Sequence, residues 1–275
     1  MKKMFLPVTM IIALISCQNN HKDVDDPGWD DGKDANKQIT VMTYNVRYCI
    51  PYLATPAAPD YDAVAAVIKK GKADVVFLQE VDRFTTRSGK VDQLAELAKR
   101  TNMPFSYYGK THDTFLVGGG ELGIAFLSKY NLSDIKQTEY PAVAGEPSPR
   151  ILIQATIRVN DRLVTVACTH LGLTQEVREV QVADLINKLS ASPYPVIFGG
   201  DLNALPESSI ITSLLNNGFV KTNRLTTNTI ESDKPTRQID YIMYRPAEKL
   251  KVISHTVLPD AVSDHLAVVA VLELQ

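Results

Sequence analysis

The sequence contains few of the residues that staple small domains or hold zinc. Only three cysteines occur among its 275 residues, at Cys17, Cys49 and Cys168. They are too few for a disulfide framework, and no Cys-x-x-Cys or Cys/His spacing suggests a zinc site. A hydrophobic core must therefore hold the folded part together.

An excess of charge of one sign is also missing. The chain has 29 basic and 31 acidic residues and a net charge of −2 at pH 7. Proteins that bind duplex nucleic acid usually present a basic surface, so the composition gives no global sign of one, although a local basic cleft stays open. The 45% hydrophobic and 22% charged residues are typical of a globular protein and exclude intrinsic disorder and fibrous repeats.

The N-terminal apolar run is too short to span a bilayer. Lys2 and Lys3 precede the run Met4–Ile15, which is typical of a targeting sequence. Its Leu-Ile-Ser-Cys end resembles a bacterial lipobox, and this resemblance implies cleavage before a lipidated Cys17. A plain secretory signal that contains a cysteine is the alternative. Residues 1–17 are predicted to be a lipoprotein signal peptide. The protein is expected to be anchored by its lipid at the bacterial cell envelope, with the outer membrane favoured, or to be secreted.

Residues 18–38 predict an acidic flexible tether. They are polar, with six aspartates between Asp23 and Asp34, and such a run buries too little apolar area to offset the entropy of ordering it. From residue 39 onward, short apolar runs alternate with amphipathic stretches, without an internal linker or repeat. Residues 39–275 are therefore predicted to form one domain.

The pattern of this domain predicts many strands and few helices. Strands are predicted at Ile39–Val46, Val75–Leu78, Phe105–Tyr108, Gly123–Leu127, Ile151–Val159, Leu163–Thr169, Val196–Phe198, Ile239–Tyr244, Leu250–Val257 and Ala267–Leu274. Helices are predicted at Tyr61–Lys70, Val91–Arg100 and Gln175–Leu189. One face of the last helix is predicted to carry Val177, Val180, Ala183, Ile186 and Leu189. This balance favours an α/β fold with two packed sheets and helices outside, rather than a doubly wound single sheet.

Polar side chains stand where these strands stop. Val75–Leu78 runs into Gln79 and Glu80, and Val196–Phe198 runs through two glycines into Asp201. The other polar residues at strand ends are Asn45, His170, Asp240, Asp264 and His265. Strands fix such groups and leave their tips at a cleft, so the sequence predicts an active site at one edge.

The residue types favour a hard divalent cation. The oxygen ligands on offer are Asn45, Glu80, Asp201, Asn203 and Asp264. They suit Mg²⁺ or Mn²⁺ better than Zn²⁺. No P-loop lysine and no Gly-x-Ser-x-Gly turn is present, which argues against nucleoside triphosphate binding and serine esterase chemistry. Metal-assisted hydrolysis remains, with a metal on Glu80, a water oriented by Asp201, and the pair Asp240 and His265 at the phosphate.

Six ordered sequence blocks resemble the signature blocks of the endonuclease/exonuclease/phosphatase superfamily. The blocks are Thr-Tyr-Asn45-Val, Gln-Glu80-Val-Asp, Thr-His170-Leu, Gly-Asp201-Leu-Asn203, Ile-Asp240-Tyr-Ile and Ser-Asp264-His265. The resemblance covers nearly everything from Ile39 to Gln275. The stretch around Glu80-Val-Asp-Arg-Phe-Thr-Thr-Arg is similar to a secreted bacterial branch of that superfamily.

The resemblance implies a four-layer α/β sandwich, with two mixed sheets face to face and helices outside, and a divalent-metal-dependent phosphoester hydrolase that uses Mg²⁺ or Mn²⁺. It implies that Glu80 is the main metal ligand, assisted by Asn45 and Asp264, and that Asp201 and Asn203 position the water and the phosphate. His170, His265 and Arg150 are expected to contact the phosphate. Asp240 is expected to orient His265, and Glu121 to be the partner of His170. One departure is Ala267, where many members of the superfamily carry proline.

The substrate is left open by the sequence. A phosphodiesterase or phosphatase acting on a lipid or small molecule is the first expectation, and a nuclease acting on DNA or RNA is the second. A catalytically inactive binding protein on the same fold is the third. The basic clusters are short, at Lys69, Lys70 and Lys72 and at Lys99-Arg100, which gives a nuclease little support. A monomer held at a membrane by its N-terminal lipid is expected.

Overall fold

The computed structural model describes residues 37–55, 57–115, 118–144, 146 and 148–275. The predicted signal peptide, its Cys17 and residues 18–36 of the predicted tether lie outside the described residues, so those predictions stay predictions. Within the described part of the chain, no helix is both long and apolar enough to cross a membrane.

The described residues form twelve strands and four α-helices. The strands are β1 (Gln38–Asn45), β2 (Val75–Arg83), β3 (Phe105–Asp113), β4 (Glu121–Ser128), β5 (Ser133–Glu139), β6 (Ile151–Val159), β7 (Arg162–His170), β8 (Val196–Asp201), β9 (Val220–Lys221), β10 (Asp240–Arg245), β11 (Leu250–Val257) and β12 (Val268–Leu274). The helices are α1 (Tyr61–Gly71), α2 (Gln93–Thr101), α3 (Gln175–Ser190) and α4 (Ser209–Asn216).

Two six-stranded sheets confirm the predicted architecture. The first has the order β11-β12-β1-β2-β4-β3, and the second β5-β6-β7-β8-β10-β9. The pairs β1–β2 and β7–β8 are parallel, while the other pairs are antiparallel, so both sheets are mixed. The two parallel pairs lie at the centres of their sheets.

The sheets pack face to face over one apolar core. Phe77 of β2 and Phe126 of β4 meet edge to face with ring centroids 5.8 Å apart, and both are fully buried. Ile153 and Ile242 contribute to the same core from the second sheet. Strands that are buried on both faces read as continuous apolar runs, which is why Val-Val-Phe-Leu was a strong strand signal.

Helices cover the outer face of each sheet. Residues of α1 and α2 share an apolar cluster with the first sheet, and residues of α3 and α4 share another with the second. Each helix begins at a residue whose side-chain oxygen accepts the backbone N–H of the residue three positions later, which stabilises the helix start. These N-caps are Asp60, Asp92, Thr174 and Ser208. The result is the four-layer arrangement that the resemblance implied.

Some elements differ from the sequence prediction. Strand β5 is polar and largely exposed, strand β9 has two residues, and helix α4 was not predicted. In α3, Val180 is 39% exposed and Ala183 is exposed, whereas Val182 and Leu185 are buried. The predicted face of α3 was therefore wrong at two positions, because its buried stripe runs closer to Val182.

Candidate active site

Polar strand ends meet at one edge of the sandwich. Asn45 at the end of β1 pairs with Gln79 of the parallel strand β2. His170 at the end of β7 pairs with Asp201 at the end of β8, and Asp240 at the start of β10 lies opposite Asp201. Parallel strands bring their carboxyl ends to the same edge, which explains this convergence.

Glycine is required where β8 approaches the site. A Cβ on Gly200 would overlap the backbone carbonyl oxygen of Thr169 in β7. Gly200 directly precedes Asp201, and Thr169 directly precedes His170. The close approach therefore fixes the spacing of two site side chains.

Asn45 joins carboxylates from the two sheets. It is fully buried, and its Nδ2 donates to Glu80 Oε1 at 2.9 Å and to Asp201 Oδ2 at 3.2 Å. Its Oδ1 accepts the backbone N–H of Arg47 at 3.1 Å. Both ends of the amide are used, so its orientation is fixed, and two residues 121 positions apart in the chain are held near one atom.

A bulge in β2 aims Glu80 into the cleft. Glu80 has φ 56, in the left-handed region that disfavours residues with a Cβ. The register between β2 and β4 shifts between Leu78 and Val81, so Glu80 lies on an irregularity of the kind that redirects a side chain. Backbone strain of this kind concentrates at functional sites.

Tyr48 and Arg87 support Glu80 from one side. Burial, together with the negative charge of Glu80, raises the pKa of the Tyr48 hydroxyl to about 12. The Arg87 guanidinium lies 3.3 Å from the centre of the Tyr48 ring. Arg87 also donates from Nε and Nη2 to the two oxygens of Asp82, each at 2.8 Å. This bidentate ion pair with Asp82 fixes the orientation of the Arg87 guanidinium plane that stacks on the Tyr48 ring.

His265 and Asp240 form a buried pair. His265 Nδ1 lies 2.9 Å from Asp240 Oδ2, which also accepts from the Thr229 hydroxyl at 2.6 Å. Burial by itself lowers the pKa of His265, but the charges of Asp240 and Asp201 outweigh burial and raise it to about 10. The ring is therefore cationic at neutral pH. Asp240 Oδ1 is buried and has no hydrogen-bond partner within the described residues.

Asp201 lies between the two histidines. Its Oδ2 is 3.4 Å from His170 Nε2 and 3.7 Å from His265 Nε2, and its Oδ1 accepts the backbone N–H of Asn203 at 2.9 Å. Burial raises the pKa of Asp201 to about 7, although the charge of His265 opposes the rise. Burial, together with the charges of Arg150 and His265, holds the pKa of His170 well below its ordinary value. His170 is therefore neutral at pH 7.

Asn203 and Asp264 complete the predicted set. Asn203 has φ 49 and donates from Nδ2 to the carbonyl oxygen of Leu171 at 3.0 Å. Asp264 is partly exposed, with Oδ2 3.6 Å from Arg47 Nε. The backbone N–H of Arg47 donates to Asn45 Oδ1, so Arg47 contacts both Asp264 and Asn45.

Several of these side chains line one cleft of about 640 Å³. Predicted site residues that line it are Glu80, Arg150, His170, Asp201, Asn203 and His265. This arrangement can provide oxygen ligands for a cation, positive charge for a phosphate, and a carboxylate close to an attacking water molecule.

Two groups of side chains could hold a cation. Asp201, Asp240 and His265 have ligand atoms within 4.8 Å of one another, but all three are buried and His265 is already bonded to Asp240. Glu80 and Asp264 are partly exposed carboxylates. Glu80 accepts from Asn45 Nδ2, and Asp264 lies near Arg47, whose backbone N–H donates to Asn45. Mg²⁺ usually keeps several waters and takes one or two carboxylates, so the second group fits a cation better.

A sequence profile described as the Endonuclease/Exonuclease/phosphatase family matches residues 42–265. The chain belongs to that family. No curated protein matches it significantly.

Several solved structures have the same fold as this chain. One from Beutenbergia cavernae is 24% identical, with TM-score 0.76, covering 86% of this chain and 72% of that one. The Bacteroides thetaiotaomicron mannosyl-6-phosphatase is 17% identical, with TM-score 0.63, covering 85% and 99%. The human Nocturnin catalytic domain with bound sulfate is 18% identical, with TM-score 0.66, covering 86% and 95%.

Glu121 does not pair with His170 within the described residues, contrary to the expectation from the family. Glu121 begins β4 opposite Arg83 of β2, and its carboxylate lies 3.4 Å from Lys110 Nζ and 3.8 Å from Arg83 Nη1. His170 ends β7 in the other sheet and pairs with Asp201. Strand register within the first sheet thus holds Glu121 beside basic residues of its own sheet.

Arg150 lies where a phosphate-contacting arginine of the family would be useful. It lines the cleft with His170, and its positive charge contributes to the low pKa of that histidine. Its Nε is buried without a hydrogen bond and lies 3.8 Å from Glu146 Oε1. Its role on phosphate stays a prediction.

Sequence reasoning missed Tyr48, Arg87, Asp82 and Thr229. Asp82 and Arg87 stand in the Glu80-Val-Asp-Arg-Phe-Thr-Thr-Arg stretch that carried the resemblance to a bacterial branch of the family. The density of polar residues directly after a metal-ligand candidate was the available signal. Nothing in the spacing of Tyr48 or Thr229 pointed to the site.

Proposed function

We propose that the protein is a phosphoester hydrolase that uses a divalent cation, Mg²⁺ or Mn²⁺. The observation that carries this proposal is the double hydrogen bond from Asn45 Nδ2 to the carboxylates of Glu80 and Asp201. It concentrates negative charge where the cleft opens, and a cation offsets such charge. Membership of the endonuclease/exonuclease/phosphatase family supports the reaction class.

Glu80 and Asp264 would hold the cation, with Asn45 orienting Glu80. The Asn45 carbonyl oxygen already accepts the Arg47 N–H, so direct ligation by Asn45 requires that bond to be shared. A bound divalent cation would polarise a phosphoryl oxygen and stabilise the leaving oxygen.

The protein side chains supply the remaining chemistry. Asp201, with a pKa of about 7, can take a proton from an attacking water near neutral pH. Cationic His265, oriented by Asp240 at 2.9 Å, provides a positive charge for the phosphate. Neutral His170, 3.4 Å from Asp201, can donate a hydrogen bond to a phosphate oxygen or to that carboxylate.

A direct test is hydrolysis of bis-p-nitrophenyl phosphate and p-nitrophenyl phosphate by the full chain, with Mg²⁺, with Mn²⁺ and with EDTA. Metal-dependent release of nitrophenol supports the proposal, and the preferred substrate separates a diesterase from a monoesterase. No turnover of either ester with any metal would favour a binding protein on the same fold.

The similarity to a mannosyl-6-phosphatase makes sugar phosphates a reasonable part of the same panel, together with DNA, RNA, sphingomyelin and phosphatidylinositol. A nuclease is the alternative hydrolase. Turnover confined to DNA or RNA in this panel would establish it.

We also propose that a lipid on Cys17 holds the domain, as a monomer, at the bacterial envelope. The Leu-Ile-Ser-Cys sequence after a basic and apolar leader supports this. Metabolic labelling with a radioactive fatty acid should mark the wild-type protein and spare Cys17→Ser. Labelling of both proteins would contradict it.

A further inference from the structure

We propose that the cleft binds a small phosphoester whose apolar substituent packs against Phe115 and Leu173, rather than a polynucleotide chain. This inference rests on the proposed hydrolase function and narrows its substrate class. It stands on two features of the cleft: an apolar rim and the pairing of its arginines.

Phe115 and Leu173 form the apolar rim. Phe115 is 83% exposed and Leu173 is 70% exposed, and both line the same cleft as Glu80 and His170. Phe115 follows β3 and Leu173 follows β7, so the two residues lie in segments that follow strands of different sheets. A single exposed apolar residue is ordinary, but two on the rim of one catalytic cleft indicate a binding surface.

The backbone around Leu173 is fixed. Arg178 of α3 donates from Nη1 to the carbonyl oxygens of Leu173 at 2.5 Å and Gly172 at 3.2 Å. The Gly172 N–H donates to Gln181 Oε1 at 2.8 Å. An exposed leucine is thus presented from an ordered loop, which lowers the entropy lost when a ligand binds.

The loop that carries Phe115 is also closed by hydrogen bonds. Thr114 N–H donates to the Gly120 carbonyl at 2.9 Å, and Gly119 N–H donates to the Thr114 carbonyl at 3.1 Å. The Thr114 hydroxyl donates to the Gly119 carbonyl at 2.8 Å. Phe115 therefore directly follows a residue that three hydrogen bonds hold in place.

Further apolar side chains continue the surface below the rim. They are Leu122, Ile124, Ile230 and Ile239. An apolar substituent that extends from a phosphate at His170 therefore has apolar contacts along the cleft as well as at its rim.

The charges of the cleft suit one phosphate better than many. Among the described residues that line it, the lysine and arginine side chains are Arg87 and Arg150. Arg87 is bonded to both oxygens of Asp82, and Arg150 faces Glu146 at 3.8 Å. A polynucleotide takes its affinity from several unpaired lysines and arginines along its backbone. Among the described residues, the cleft has no such row.

Equilibrium binding of two phosphonates tests the inference. Phenylphosphonate and methylphosphonate, titrated calorimetrically into the full chain with Mg²⁺, share one anionic group and differ in the apolar substituent. Wild type should bind phenylphosphonate about 10-fold more tightly, since 1.4 kcal/mol of added apolar contact is tenfold in affinity. Phe115→Ala and Leu173→Ala should each reduce that ratio by about 3-fold to 5-fold.

Leu225→Ala is the matched control. Leu225 is 80% exposed and lines a separate groove beside β9 and β11, so its truncation should leave the ratio unchanged. Equal wild-type affinities, no binding of either phosphonate, or an unchanged ratio in both rim variants would overturn the inference. Tighter binding of a single-stranded 12-mer oligonucleotide, with affinity falling steeply as salt rises, would overturn it as well.

Phosphonates are not hydrolysed, so this binding result is independent of the turnover assay. If the protein shows no turnover but still prefers phenylphosphonate, the hydrolase function is refuted and the binding role of the apolar rim is supported. If it shows turnover but no preference for phenylphosphonate, the binding role of the rim is refuted and the hydrolase function is supported.

Discussion

His265 Nδ1 lies 2.9 Å from Asp240 Oδ2. The two residues are 25 positions apart in the chain, and both are almost fully buried. The contact keeps the imidazole oriented by one nitrogen, so that the other nitrogen lies on the Asp201 side. This relationship makes the role of Asp240 testable separately from that of His265.

Replacing Asp240 with Asn should lower kcat far more than it raises KM. The amide keeps the shape and one hydrogen bond but removes the negative charge that favours cationic His265. General acid–base and electrostatic groups of this kind contribute about 100-fold or more to the reaction rate. Steady-state kinetics on the best substrate of the panel measure the effect. Thr229→Val, which removes only the hydroxyl bonded to Asp240, should produce a much smaller loss. A kcat within twofold of wild type in Asp240→Asn would contradict the assignment.

Replacing Asn45 with Ala should weaken Mn²⁺ binding and destabilise the fold. The change leaves two carboxylates close together without their shared donor, and loss of a buried hydrogen-bond partner costs about 1–3 kcal/mol. Calorimetric Mn²⁺ titration and thermal unfolding measure both effects. Asn217→Ala is the control, because Asn217 Nδ2 donates to the Ser213 carbonyl at the end of α4 and is not among the residues lining the cleft. Unchanged Mn²⁺ affinity in Asn45→Ala would count against its positioning role.

Replacing Gly200 with Ala should push β7 and β8 apart where His170 and Asp201 end. The new Cβ meets the Thr169 carbonyl oxygen, and overpacking of this kind costs about 1–3 kcal/mol. Activity should fall even at temperatures where the variant is fully folded. Gly218→Ala, which strains a positive φ but meets nothing, should lower the melting temperature without lowering kcat. Full activity of folded Gly200→Ala would show that the strand spacing is not critical.

His255 should make the fold acid-sensitive. Its Nδ1 lies 2.8 Å from the Thr222 hydroxyl, and burial lowers its pKa from 6.5 to about 4. The unfolded chain therefore takes up a proton before the folded chain does. The stability contributed by neutral His255 is complete above pH 6.5 and is lost as pH falls from 6.5 toward 4.

The check is the urea unfolding midpoint at pH 7.5, 6, 5 and 4.5 for wild type and His255→Gln. The variant should lose less stability than wild type across this range, because it has no imidazole to protonate. Parallel curves for the two proteins would show that other groups cause the acid sensitivity.

The positions of the strands and the polar residues at their ends could be predicted because each signal lies within a few consecutive residues. The run Val75–Leu78 followed by Glu80 carries its own signal, and so does the Gly-Gly-Asp201 end of β8. The polar strand β5 gave no such signal, since it lies at a sheet edge and is largely exposed. Periodicity alone misplaced the buried face of α3, because the strands beneath it decide which side chains are covered.

Contacts between distant segments could not be predicted. The stacking of Arg87 on Tyr48 joins residues 39 positions apart, and no pattern in either segment requires it. The pairing of Glu121 with Lys110 and Arg83 likewise follows from strand register within one sheet. The family resemblance implied a pairing of Glu121 with His170 that is not found among the described residues.

The most direct test of the central claim compares wild type with Glu80→Gln. Mn²⁺ binding is followed by electron paramagnetic resonance, and Mg²⁺-dependent hydrolysis by nitrophenol release. The variant should keep its melting temperature within a few degrees, since Glu80 is partly exposed. It should lose detectable Mn²⁺ binding. Its activity should fall by about 1,000-fold or more, as expected when a charge-stabilising group is removed. Unaltered Mn²⁺ affinity and turnover in a folded Glu80→Gln protein would contradict the claim that these strand ends form a metal-dependent hydrolase site.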